Sequence, residues 1–156
     1  MAPSVDDSVY LSPYPFDANR IRAAAVYCSD GRYGEHFDAL LQHALQLPRY
    51  DRLAIPGGAA CLAGHFHAYR EEEGVAEQLK FLVRVHDVRR IVLIARQDCA
   101  YYSTWLKVPA LQVESRQRED LVKAVRHVRR LEGDLDVQAF YARCDGDRIL
   151  FEPCGT

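Results

Sequence analysis

Three short stretches of this chain hold residue types that could do chemistry. VYCSDGR, residues 26–32, sets Cys28, Asp30 and Arg32 two apart. RQDC, residues 96–99, gathers Arg96, Asp98 and Cys99. Between them PGGAA, residues 56–60, puts Gly57 and Gly58 together in a turn. Thiolates and a carboxylate can hold a soft or borderline metal. A guanidinium fork suits a carboxylate-like anion. A thiol beside cations has a lowered pKa and reacts as the thiolate. A site that uses both thiols needs Cys28 and Cys99 to meet, so the fold must join distant segments.

The elements that would do this are readable from hydrophobic pattern. RIRAAAVYCSD, residues 20–30, reads as a first buried strand ending at Cys28. Phe37, Leu40, Leu41, Ala44, Leu45 and Leu47 give helical spacing over 33–47, and Pro48 stops it. Arg52 to Ile55 is a short strand broken by PGGAA. Val75, Leu79, Leu82, Val83 and His86 share a helical face within 66–87. Arg90 to Ala95 is a third strand, and it opens onto Arg96. Leu121, Val125, Val128 and Leu131 mark a helix over 115–131, with basic residues crowding its second half and Gly133 ending it. Val137–Ala142 and Ile149–Glu152 flank an Asp-Gly turn and read as a hairpin.

Strands alternating with helices predict an α/β fold: a mostly parallel central sheet, helices on both faces, and a C-terminal edge hairpin. In such a sheet Cys28 and Cys99 emerge at one edge, where ligands bind. Residues 1–20, rich in Pro, Asp, Ser and Tyr, read as an N-terminal arm, and 21–156 as one domain.

Composition narrows the function. The 156 residues are 49% hydrophobic and 27% charged, with a formal net charge of -2, which favours neither nucleic acid nor a membrane surface as partner. No apolar run approaches the ~20 residues of a membrane helix. The start, MAPSVDDSVYLSPYPFD, lacks the basic and apolar regions of a secretory signal, so a cytoplasmic location is expected. Five cysteines, an odd number without tight spacing, argue against a disulfide framework.

The order C-x-D-x-R, Gly-rich turn, D-C, each at a strand end, with the closing hairpin QAFYARCDGDRILFE, resembles the β-class carbonic anhydrases from about Arg20 onward. The resemblance implies a zinc ion held by two cysteines and a histidine, and reversible hydration of CO₂ to bicarbonate. By position, Cys28 and Cys99 would be the metal ligands. Asp30 and Arg32 would be the catalytic pair, Asp30 orienting the metal-bound hydroxide and Arg32 holding Asp30. Arg96, Gly57 and Gly58 would border the anion or substrate pocket. A homodimer through the sheet is also implied.

One position departs from the pattern. The family spaces its last two ligands as H-x-x-C, and three residues before Cys99 this chain has Arg96. A guanidinium has no lone pair to donate. Replacement donors on paper are His65, His67, Cys61 and Asp30. The alternative reading is a metal-free, non-catalytic relative that binds a small anion or serves as a regulatory or structural subunit. A third keeps Cys28 and Cys99 as a redox pair or a reactive thiol. Blander readings stand beside all of these: buried cysteines, a plain Asp30–Arg32 ion pair, surface histidines, and Tyr101, Tyr102 and Trp105 as core.

Overall fold

The computed structural model describes residues 9–155. It contains a five-stranded sheet: β1 (Ala23–Cys28), β2 (Asp51–Ile55), β3 (Arg90–Arg96), β4 (Asp136–Asp145) and β5 (Arg148–Cys154), in spatial order β2-β1-β3-β4-β5. The first four strands run parallel, and β5 pairs antiparallel with β4. The α/β architecture and its edge hairpin are as expected. Gly146 takes a positive φ of 61° at the first central position of the two-residue hairpin loop, which suits the right-handed twist of the flanking strands.

Side-chain alternation along the central strands fills two cores. On one face Ala23, Ala25 and Tyr27 of β1, with Val92 and Ile94 of β3, pack against Phe37, Leu40 and Leu41. On the other, Ala24, Val26, Ile91 and Leu93 meet Val75, Leu79 and Val83 of helix α2 (Tyr69–Val85) and Leu121, Val125 and Val128 of helix α3 (Val113–Leu131). Strands buried on both faces read as near-continuous apolar runs, and β1 and β3 do.

Two expected helices differ in detail. The segment after β1 is α-helical only over Gly34–Ala39, here α1. It continues as a π-helical turn, Leu40–Ala44, in which the Leu45 N–H reaches the Leu40 carbonyl at 3.0 Å. The wider turn keeps Leu40 and Leu41 on the sheet, and Gln46 at φ 58° ends it before Pro48. Helix α2 starts at Tyr69 rather than near 66 because two 3₁₀ turns, Gly58–Ala63 and Phe66–Ala68, occupy the crossover.

Residues 9–20 of the arm are exposed and carry no helix or strand, and the first eight residues lie outside the described ones. No described helix is long and apolar enough to cross a membrane.

Candidate functional site

The chain leaves β1 toward β2 on one side, while β3 flanks β1 on the other. This makes the carboxyl ends of β1 and β3 the topological switch point of the sheet. Register fixes what meets there: Val26 lies opposite Leu93, so the two strand ends deliver Cys28 and Arg96 side by side. Cys99 follows three residues later, after Asp98 turns the chain at φ 54°. Cys28, Cys99 and Arg96 are all buried, Arg96 at 6% exposure.

Arg96 is the hub. Its Nε donates to Cys28 Sγ at 3.4 Å, and its Nη2 lies 3.1 Å from Asp30 Oδ2. Its Nη1 donates to the Gln97 and Asp98 carbonyls at 3.2 and 3.0 Å. The guanidinium carbon sits 5.1 Å from the centre of the Tyr33 ring. From α3, Gln117 Nε2 donates to the Arg96 carbonyl at 2.6 Å, fixing the strand end. Asp30 is shared with Arg32, whose backbone N–H, Nε and Nη2 all reach its carboxylate, Nη2 at 2.7 Å. The Arg32 side chain itself is 79% exposed.

These contacts polarise the thiols unequally. A hydrogen bond from Cys99, then those from Arg96 and the Asp30 and Gly57 backbones, outweigh burial and lower the Cys28 pKa to about 5. Cys99, which supplies that hydrogen bond and is itself buried, is pushed far up and stays a thiol. Arg32, through its hydrogen bonds, holds the Asp30 carboxyl well below the usual carboxylate range, with help from Arg96. At neutral pH two guanidinium cations thus face one thiolate and one carboxylate.

An open cleft of about 390 Å³ covers the cluster, walled by Cys28, Asp30, Gly57, Arg96, Tyr101 and Trp105 among others. Gly57 earns its place sterically: at φ 79°, a Cβ there would lie 2.5 Å from the Tyr101 ring. Gly58 does not line the cleft. It packs on the strand ends, where a Cβ would stand 2.9 Å from the Ile94 carbonyl and 3.0 Å from the Cys28 nitrogen. The two glycines therefore admit a neighbouring loop and two strands, and only Gly57 borders the opening.

This donor set does not fit zinc. The position expected to supply a neutral nitrogen supplies a cation that already bonds Cys28 and Asp30. Among the described residues no group of three or more His, Cys, Asp and Glu side chains is placed to hold a metal ion. Of the replacement donors, Asp30 is held by Arg32 and Arg96, and the others do not line the cleft. His65 Nε2 lies 2.6 Å from Asp120 Oδ2, His67 is exposed, and Cys61 lies buried with its sulfur 3.9 Å from the Gly58 carbonyl and its pKa pushed up to about 12 by burial.

The sequence missed a second polar cluster beside the first. Asp120 of α3 is buried and its Oδ2 also accepts the Tyr102 hydroxyl at 2.8 Å. Tyr102 is core, whereas Tyr101 and Trp105 are cleft wall. Asp120 follows Gln117 by three residues, so one helix face serves both clusters. Its companions His65 and Tyr102 come from other loops, and the mostly charged run RQREDLVK, residues 116–123, gave no sign that Asp120 is buried.

A family model described as "Putative carbonic anhydrase" matches residues 18–148. Three solved structures share the fold. The β-carbonic anhydrase isoform I of Trichomonas vaginalis is 15% identical with a TM-score of 0.52, the match covering 96% of this chain and 90% of that one. The carbonic anhydrase from Glaciozyma antarctica is 15% identical with a TM-score of 0.53, over 83% and 80%. The β-carbonic anhydrase CafA of Aspergillus fumigatus is 12% identical with a TM-score of 0.50, over 84% and 74%. No curated protein sequence matches the chain.

Proposed function

This chain belongs to the carbonic anhydrase family whose model spans it, and from that premise we propose that it is a metal-free member whose strand-end cleft binds a small anion of the bicarbonate class. One observation supports this above the others: the Arg96 guanidinium lies against both Cys28 and Asp30, where the resemblance would put a metal. Arg96 supplies a fixed positive charge in its stead. It neutralises the Cys28 thiolate and ties Asp30 in place, so the cluster is stable without an ion.

The guanidinium has five N–H donors, and four are engaged. The remaining one belongs to a side chain that lines the cleft and is offered to a planar anion oxygen. Gly57, Tyr101 and Trp105 give the cleft a small apolar wall suited to a ligand the size of CO₂ or bicarbonate. On this reading Asp30 and Arg32 are positioning residues, and Cys28 and Cys99 are not metal ligands. The free thiols suit a reducing compartment, the cytoplasm. Pairing across the sheet would give a homodimer, which sedimentation velocity tests directly.

The competing reading, zinc-dependent hydration of CO₂, requires Arg96 to leave its partners. Elemental analysis after incubation with zinc, on protein purified without a metal-binding tag, separates the two. The expected result is no stoichiometric zinc, CO₂ hydration at the buffer rate, and a higher melting temperature with bicarbonate in the presence of chelator. About one zinc per chain, with hydration that chelator abolishes, would overturn the proposal. Arg96→His restores the family's spacing, and the variant should bind more zinc than the parent.

A further inference from the structure

The Cys28–Cys99 contact has a use that anion binding leaves untouched. Both cysteines line one cleft and pack in one buried cluster, Cys28 at the end of β1 and Cys99 three residues beyond β3. Neither is committed to a metal, and Arg96 donates to Cys28 Sγ from the side. We propose that Cys28 and Cys99 form a redox dithiol that a small hydroperoxide converts to a disulfide, with Cys28 as the attacking thiol and Cys99 as the resolving one.

The roles follow from geometry. Cys28 has the guanidinium of Arg96 against its sulfur, Nε at 3.4 Å, so negative charge is stabilised there. Cys99 has no hydrogen bond from a cation among the described residues and packs with Cys28 among the apolar Ala60, Tyr102, Val108 and Val113. The cleft admits a molecule as small as hydrogen peroxide to the buried pair. Cys28 Sγ attacks one peroxide oxygen, the O–O bond breaks, hydroxide leaves, and Cys28 becomes a sulfenic acid. The hydroxide takes the Cys99 proton as water. Cys99 Sγ then attacks Cys28 Sγ, the S–S bond forms, and the S–O bond breaks to release hydroxide. The two sulfurs together lose two electrons, and one hydrogen peroxide becomes one water and one hydroxide.

The other three thiols are a built-in comparison. Cys61 is buried with its sulfur 3.9 Å from the Gly58 carbonyl, while Cys144 is exposed and Cys154 half-buried without a cysteine partner. Accessibility alone would favour Cys144. The proposal favours the buried pair.

The test is peptide mapping of the intact wild-type protein after brief treatment with hydrogen peroxide and blocking of free thiols. Trypsin releases Cys28 in residues 23–32 and Cys99 in residues 97–107. The expected product is these two peptides joined, two mass units lighter than their sum, with reductant reversing the change. In a Cys144→Ser, Cys154→Ser background the accessible thiol count under denaturation should fall from three to one. Cys99→Ala in that background should instead accumulate sulfenic and then sulfinic acid on Cys28. Oxidation confined to Cys144 in the wild type, with peptides 23–32 and 97–107 recovered as free thiols, would overturn the proposal. So would the pair's staying reduced in the doubly substituted background. Both readouts are independent of bicarbonate binding, so they separate this inference from the proposed function.

Discussion

Two buried polar clusters lie side by side along α3, and they are built on opposite principles. Around Arg96, cations and anions alternate: Arg32, Asp30, Arg96 and Cys28 form a chain of opposite charges whose donors are nearly all used. Around Asp120, one carboxylate serves His65 and Tyr102 through a single oxygen, and its Oδ1 has no partner among the described residues. The first cluster is close to saturated and opens to solvent. The second is enclosed and half-satisfied. Buried polar networks rigidify a core when complete and are costly when partial. On the proposed reading the first cluster stands in for an ion, and the second is a local weakness held by its surroundings.

Substitution at the hub gives the largest effect expected from this contrast. Arg96→Met leaves the shape of the stem but strips Cys28 and Asp30 of their buried counter-charge. Breaking a buried pair on one side costs roughly 3–5 kcal/mol. Urea denaturation should show a loss of that size, and a loss below about 1 kcal/mol would mean that the guanidinium does not act as the cluster's cation. Next comes Asp120→Ala, which leaves the Tyr102 hydroxyl buried without an acceptor. Its expected cost is about 1–3 kcal/mol, less than at Arg96 because one carboxylate oxygen was already unpartnered. The reverse ranking would invert the comparison.

Acid should act on the first cluster by way of Cys28. Its folded pKa is lowered to about 5, below the ordinary ~8.5 of a free thiol. The thiolate's contribution to stability is therefore full above the unfolded value, declines as pH falls between the two, and is gone below about 5. Thiolate absorbance near 240 nm, lost in Cys28→Ser, should titrate with a midpoint near 5. The melting temperature of the wild type should fall relative to Cys28→Ser over the same range. A midpoint near 8.5 would show that Arg96 and Cys99 do not hold the thiolate. The smallest effect belongs to Arg32→Ala. Arg32 is exposed and Arg96 keeps its own hold on Asp30, so the melting temperature should be unchanged within measurement error while bicarbonate stabilisation weakens.

The sequence made the first cluster readable and the second not, for a physical reason. Cys28 and Arg96 sit at the ends of continuous apolar runs, AAAVYC and RIVLIAR, and parallel pairing puts such ends together whatever else the fold does. His65 and Asp120 are 55 residues apart, and their meeting depends on how two 3₁₀ turns route the crossover beneath α3. No local period encodes that route. The same limit explains Gly57 and Gly58. Their turn was legible as a turn, but whether each glycine faces a ligand, a ring or a strand end depends on distant Tyr101 and Ile94. The π-helical turns at Leu40–Ala44 and Tyr101–Trp105 were equally hidden, since apolar spacing cannot distinguish a four-residue from a five-residue closure over one turn.

Arg96 also donates to the carbonyls of Gln97 and Asp98, the two residues that bend the chain from β3 to Cys99. An imidazole has at most two N–H groups against the guanidinium's five and a shorter reach. Histidine at 96 would thus leave the bend without its tie at the same moment that it offered a nitrogen to a metal. The bend at Asp98, in turn, sets where Cys99 stands. Acquisition of an ion at this site is therefore an epistatic change, in which the exchange at 96 gains its full value only once the Gln97–Asp98 bend can hold its shape unaided.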